Sequence, residues 1–192
     1  MRKVLGPIAI IVVILVLLGV MLVPSYNKLV TLEENVDSSY AQVENQLQRR
    51  MDLIPNLVNT VKGFAEHEQE VIGDISDARA RLAGAQGPEE QAAANDELSG
   101  ALSRLLVVVE SYPDLKANEN FRSLMDSLEG TENRLAVARK DYNDEVAKYN
   151  KSVKRFPKSI LAGTFGFEKK PYFEVTNEEK EAPKVDFGDD GK

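Results

Sequence analysis

The chain has 192 residues, no cysteine, no tryptophan and one histidine, which excludes disulfides, thiolate zinc sites and cysteine nucleophiles. Its length allows one domain of ordinary size plus accessories. Formal net charge is −7, and setting aside Arg2 and Lys3 leaves −9; a body this acidic, with no basic patch interleaved with aromatics, repels phosphates and excludes nucleic acid as a partner.

Residues 4–23, VLGPIAIIVVILVLLGVMLV, run for twenty positions without a charge. As a helix they cover about 30 Å, the thickness of a bilayer's hydrocarbon core. Val23-Pro24-Ser25-Tyr26 offers no small-residue cleavage pattern, so the reading is an uncleaved transmembrane anchor over 1–24 in contact with the lipid bilayer. Arg2 and Lys3 precede the run, while Glu33, Glu34 and Asp37 follow Lys28. That bias favours a cytoplasmic amino terminus and a body across the membrane.

From Val36 the apolar residues fall into a 3-4-3-4 ladder: Val36, Tyr40, Val43, Leu47, Arg50, Ile54, Leu57, Val61, Phe64, Glu68, Val71, Ile75, Ala78 and Leu82. This spacing keeps one stripe of a helix facing a partner and predicts a helix over 36–82, about 70 Å long. Pro55 has no amide hydrogen and crowds the carbonyl of Met51, so it either kinks this helix or opens a new one with Asp52 as the cap. The unbroken phase from Leu47 through Ile54 to Leu57 favours a kink.

Gly84-Ala85-Gln86-Gly87-Pro88 marks a stop and restart, and a second helix is predicted over 88–111 with Ala94, Leu98, Ala101, Leu105, Val108 and Tyr112 on one face. A third is predicted over 115–155, where Phe121, Met125, Leu128, Glu132, Leu135, Arg139, Tyr142, Val146, Tyr149, Val153 and Phe156 form a ladder stopped by Pro157. The fold class is therefore all-α: an up-and-down antiparallel helical bundle over 25–157, with three long helices, or four if the chain reverses near Pro55. Beyond it, an aromatic extension over 158–176 carries Phe165, Phe167, Tyr172 and Phe173 and is expected to pack on the bundle. The acidic tail 177–192 is expected to be mobile.

Four charges interrupt the ladders: Arg50, Glu68, Glu132 and Arg139. With helices one and three parallel, a straight register matches Arg50 with Glu132 or Glu68 with Arg139, but not both, because the separations are eighteen and seven residues. The bland reading is four side chains snorkelling at the seam edge; the sharper one is a buried or intersubunit pair that fixes register. Tyr142 and Tyr149, one heptad apart, belong to the core, and Asn143 and Asn150 beside them could cross-link neighbours. No catalytic, cofactor or metal site is expected: His67 alone cannot build a zincin or di-iron motif, the 84–88 turn lacks a phosphate-loop lysine, and no histidine is placed to activate a serine. No Lys/Arg-rich amphipathic helix of the kind that grips anionic lipid is read either.

Gln42 to Val58, then Val61-Lys62-Gly63-Phe64-Ala65-Glu66-His67-Glu68, resembles the signature of the bacterial LemA family. Glu132 to Arg139, Asp141-Tyr142-Asn143, Tyr149-Asn150, Phe156-Pro157, Tyr26-Asn27 and Gly166-Phe167 with Tyr172-Phe173-Glu174 extend the resemblance over nearly the whole chain. Tyr40 stands where the family often has tryptophan, a departure that should alter packing rather than role. The resemblance implies a membrane-anchored bundle with a poorly defined activity and a cytoplasmic body, the last in conflict with the charge count. It is shared with the magnetosome Q proteins, associated with membrane remodelling, and it implies TPM-domain proteins or membrane zinc peptidases as partners. The expected function is a non-enzymatic scaffold that self-associates, as a homo-oligomer, and recruits membrane proteins. The alternatives are a membrane-remodelling assembly, or an adaptor or substrate of a membrane peptidase.

Overall fold

In the computed structural model residues 2–65 and 67–174 are described, apart from the side chains of 2–12, 14–18 and 21. Six helices follow in order: α1 (Arg2–Lys62), α2 (Gln69–Gly84), α3 (Gly87–Val109), α4 (Pro113–Ala117), α5 (Glu119–Lys154) and α6 (Lys158–Phe165). The anchor expected over 4–23 lies largely outside the described side chains, and the tail expected over 177–192 lies outside the described residues. Among the described residues no helix is long and apolar enough to cross a membrane.

The single helix expected over 36–82 is two. α1 ends at Lys62 and the chain reverses through 63–68, where the Gly63 and Phe64 amides bond back to Thr60 and Val61 in tightened last-turn geometry. Phe64, a rung of the expected ladder, is exposed, and Ala65 is buried in its place; on α2 the buried rungs are Ile72, Ile75, Ala78 and Leu82. Four long helices therefore form the bundle, but the extra reversal is at Gly63 and not at Pro55.

Pro55 stays inside α1 without breaking it. A proline leaves the carbonyl four residues earlier without its helical donor. Here that carbonyl belongs to Met51, and Arg79 of α2 donates its Nε to it at 2.9 Å. A neighbouring helix supplies the missing hydrogen bond, so the rod can continue through the proline.

One additional reversal changes every later direction. α1 and α5, expected to be parallel, pack antiparallel along a continuous seam. Tyr40 meets Tyr142 with ring centroids 5.3 Å apart, and Arg50 meets Glu132; ten residues forward on α1 match ten backward on α5, as an antiparallel pair requires. α2 packs on α1 and on α3, while α6 packs on both α1 and α5. The core runs from Leu29 and Leu32 through Val36, Val43, Leu47, Ile54, Leu57 and Val61 on α1, against Leu128, Leu135, Tyr142, Val146 and Tyr149 on α5 and Leu98 and Leu105 on α3.

α5 starts at a capped end, since Asn118 accepts from the Phe121 amide at 3.0 Å. Its expected last rung, Phe156, lies beyond the helix and is exposed. α6 closes at Gly166, whose φ of +78° allows the Phe167 amide to reach back to the Ala162 carbonyl. That turn sends residues 167–174 along the bundle as an extended strip.

Candidate functional site

Among the described residues, two polar constellations join separate elements in a largely apolar interior. The first is centred on Arg50, which the α1 stripe carries into the seam between leucine and isoleucine rungs. Its side chain is 4% exposed, and it forms an ion pair with Glu132 of α5, whose side chain is 39% exposed. From α3, Asn95 Oδ1 accepts from Arg50 Nη1, and Ser99 Oγ accepts from Nη2 at 3.1 Å. Ser99 in turn donates to the Asn95 carbonyl at 2.9 Å. One guanidinium thus joins three helices, using the fixed fork of donors that lysine lacks.

Burial pulls the Arg50 guanidinium below its ordinary range, and Glu132 and Asp96 counter that pull while Arg139 adds to it. The satisfaction is incomplete: Arg50 Nε and Asn95 Nδ2 have no hydrogen-bond partner among the described residues. Arg50 lines a groove of about 420 Å³ between α3 and α5, shared with Ser99, Ser103, Leu106, Met125 and Glu129. An arginine keeps its charge at any ordinary pH, so this cluster suits fixing register and recognition rather than proton transfer.

The other charged rungs go elsewhere. Glu68, at the start of α2, accepts from the Tyr112 hydroxyl at 2.8 Å and so ties the 63–68 reversal to the end of α3. Arg139 lies over the Phe173 ring at 5.1 Å. Glu68 and Arg139 are not brought together. Asn95 and Ser99 were not singled out in the sequence; the available signal was an asparagine seven residues before Leu102, on a stripe whose other members are apolar.

The second constellation is a clamp. Asn143 donates Nδ2 to the Phe173 carbonyl at 3.3 Å and accepts from its amide at 2.8 Å; Asn150 does the same with Lys170, at 2.8 and 2.9 Å. Seven helical residues rise about 10.5 Å and three extended residues span about 10 Å, so asparagines one heptad apart match main-chain groups three residues apart. Between them the Tyr142 hydroxyl donates to the Pro171 carbonyl at 2.8 Å. Lys170 also pairs with Glu33 at 2.9 Å; burial pulls its ammonium down, but Glu33 and Asp37 outweigh that and hold it above its usual range.

Tyr149 sits beside the clamp at 0% exposure, and its hydroxyl has no partner among the described residues. Burial, the leading cause in each case, pushes the hydroxyls of Tyr40, Tyr142 and Tyr149 up from 10.0 to about 12. A raised acid pKa leaves stability intact below the unfolded value and removes it as pH climbs toward the folded one. Unfolding free energy is therefore expected to fall between pH 10 and about 12. Tyr149→Phe should leave neutral-pH stability unchanged or slightly higher and reduce the alkaline loss by about 1–2 kcal/mol, because it deletes an unbonded buried hydroxyl. Urea titrations of both proteins across that window check this, and a destabilised Tyr149→Phe at neutral pH refutes it.

Among the described residues no three His, Cys, Asp or Glu side chains converge as metal ligands, and His67 is exposed in the 63–68 reversal. Compared with known families, residues 39–187 match the model of the LemA family. Among curated proteins the chain is similar to Magnetosome protein MamQ 2 and Magnetosome protein MamQ 1 of Paramagnetospirillum magneticum, 30% identical to each over 88% of this chain and 73% of the relative. It is also similar to Magnetosome protein MamQ of Magnetospirillum gryphiswaldense, 29% identical over 77% of this chain and 64% of that protein.

Proposed function

Because this chain belongs to the LemA family, we propose that it is a non-enzymatic scaffold, held in a membrane by residues 4–23, that self-associates and recruits membrane proteins. The observation that carries this is the continuity of α1. One helix, Arg2–Lys62, contains both the uncharged run and the seam of the bundle, and Leu29, six residues past the end of that run, is already fully buried. No hinge separates anchor from body, so the bundle stands on the bilayer as a stiff post that holds its side faces at fixed height and orientation. Confining such posts to a surface raises their effective concentration, so weak lateral contacts suffice for assembly. TPM-domain proteins and membrane zinc peptidases are the membrane partners proposed for those faces.

The absence of cysteine makes the test direct. Val107 of α3 and Val137 of α5 are large apolar residues left 73% and 60% exposed on the bundle faces. Val107→Cys and Val137→Cys, oxidised in native membranes, are expected to yield covalent dimers through at least one face. Monomer alone from both positions, together with monomer alone in native mass measurements, removes self-association.

A second reading draws on the likeness to proteins named as magnetosome proteins: many posts packed side by side shape the membrane that holds them. Purified chain leaving liposomes round counts against it.

A further inference from the structure

The end of the bundle nearest residues 4–23 gathers cations and exposed apolar groups that the sequence pattern conceals. Residues 146–167 contain five cations, Lys148, Lys151, Lys154, Arg155 and Lys158, and no acid. Net charge is −7, so the rest of the chain carries −12 (−7 minus 5). α1 has no acid before Glu33 and contributes Lys28 to the same level. That level follows from the seam register: twelve residues on from Tyr142 is Lys154, and twelve residues back from Tyr40 is Lys28, four residues past Pro24. Lys148 is paired with Glu145, whereas Lys151, Lys154, Arg155 and Lys158 form no ion pair among the described residues.

Apolar groups share this end. Phe156, Ile160 and Phe165 are 74%, 60% and 60% exposed, while Leu161 and Ala162 of the same helix are buried against the bundle. α6 is fixed to the root of the post, since Tyr26 meets Phe165 and Phe167 edge-on at 5.0 and 5.7 Å between ring centroids. Tyr26 lies two residues after Pro24, about 3 Å along the helix. Exposed aromatic and aliphatic side chains beside a concentration of cations form the composition of an interfacial element, apolar atoms in the acyl boundary and ammonium groups among phosphates. Pro157 divides the pattern between the end of α5 and the start of α6, so neither helix alone reads as basic and amphipathic.

We propose that α6 and the turn before it, residues 154–165, lie in the headgroup layer of the membrane that α1 enters and bind anionic lipid there. The proposal rests on the reading of 4–23 as a membrane span. It makes the post two-footed: the second foot opposes tilting and couples the bundle to lipid charge.

The chain has no tryptophan, so each introduced tryptophan is the only one. Four full-length variants, Val13→Trp, Phe64→Trp, Phe156→Trp and Phe165→Trp, are reconstituted into liposomes of phosphatidylcholine and phosphatidylglycerol, with and without brominated acyl chains. Emission from positions 13, 156 and 165 is expected to fall to about half or less in brominated lipid, and emission from position 64, just beyond the far end of α1, to stay unchanged. Quenching at 13 with none at 156 and 165 overturns the second foot and leaves the span intact; no quenching at 13 overturns the span itself. Adding Lys154→Gln, Arg155→Gln and Lys158→Gln to Phe156→Trp is expected to weaken quenching in the anionic vesicles and leave it unaltered in pure phosphatidylcholine. An identical response in both lipids refutes the anionic preference.

Discussion

Replacing Glu132 with leucine is expected to lower the unfolding free energy by about 3–5 kcal/mol, and replacing Arg50 with leucine to cost less than half as much. The asymmetry comes from where the two charges sit. The Arg50 side chain is 4% exposed, so losing Glu132 leaves a buried cation with only the neutral oxygens of Asn95 and Ser99 as direct acceptors. Its Nε already has no acceptor, so no spare hydrogen bond is available to compensate. The Glu132 side chain is 39% exposed, and without arginine its carboxylate can turn into the α3–α5 groove and hydrate. Leucine at position 50 also continues the stripe between Leu47 and Ile54. Urea unfolding of the full chain in detergent, followed by helical circular dichroism, separates the two costs. Equal losses, or a greater loss from Arg50→Leu, would show that the pair is not what holds the three helices in register. The double replacement is expected to recover most of what Glu132→Leu alone loses, because it removes the stranded charge rather than an attraction.

How this pair could be noticed in the sequence, and why its setting could not, follows from what a periodic pattern records. Spacing reports which side of a helix faces a partner, so Arg50 and Glu132 stand out as charged rungs and the all-helical fold is legible from the ladders alone. Spacing does not report direction. The ladder keeps its 3-4 count across the reversal at 63–68, because a hairpin of two helices facing the same core shows the same periodicity as one long helix. Gly63 was the local signal, and its weight was hidden by the apolar Phe64 beside it, which turns out to face water. Pro55, the stronger breaker by chemistry, is neutralised by Arg79, a contact between residues 28 apart that no local reading can supply. Asn143 and Asn150 were visible as cross-linking candidates one heptad apart. Their partner was not, since it is the main chain of residues 170 and 173, and main-chain groups leave no trace in composition.

Phe173→Ala is expected to weaken the docking of residues 167–174 by about 3–5 kcal/mol, the cost of truncating a fully buried phenylalanine. Phe173 is the fully buried ring of the strip, Phe167 at its start being only partly buried, and the bonds around residue 173 depend on the same geometry: Asn143 needs the Phe173 main chain in place, and Arg139 needs its ring. Detaching the strip exposes it without requiring the bundle to unfold, so the loss should appear as local opening. Lys169 lies within the strip and provides the readout, because the bond after it is open to trypsin whereas the bond after Lys170 leads into Pro171 and resists it. Trypsin cleavage there is expected to accelerate by about two to three orders of magnitude, since cleavage follows the open population when closing is fast, while the bundle's own unfolding transition moves little. Asn143→Ala should accelerate cleavage by about tenfold, in line with the loss of two main-chain hydrogen bonds that water can partly replace. Added to Phe173→Ala it should contribute little, because a strip that is already open has no clamp left to lose. If Phe173→Ala instead lowers the stability of the whole bundle by its full cost, with no excess cleavage after Lys169, the strip folds as part of the core and the asparagine clamp is not an independent latch.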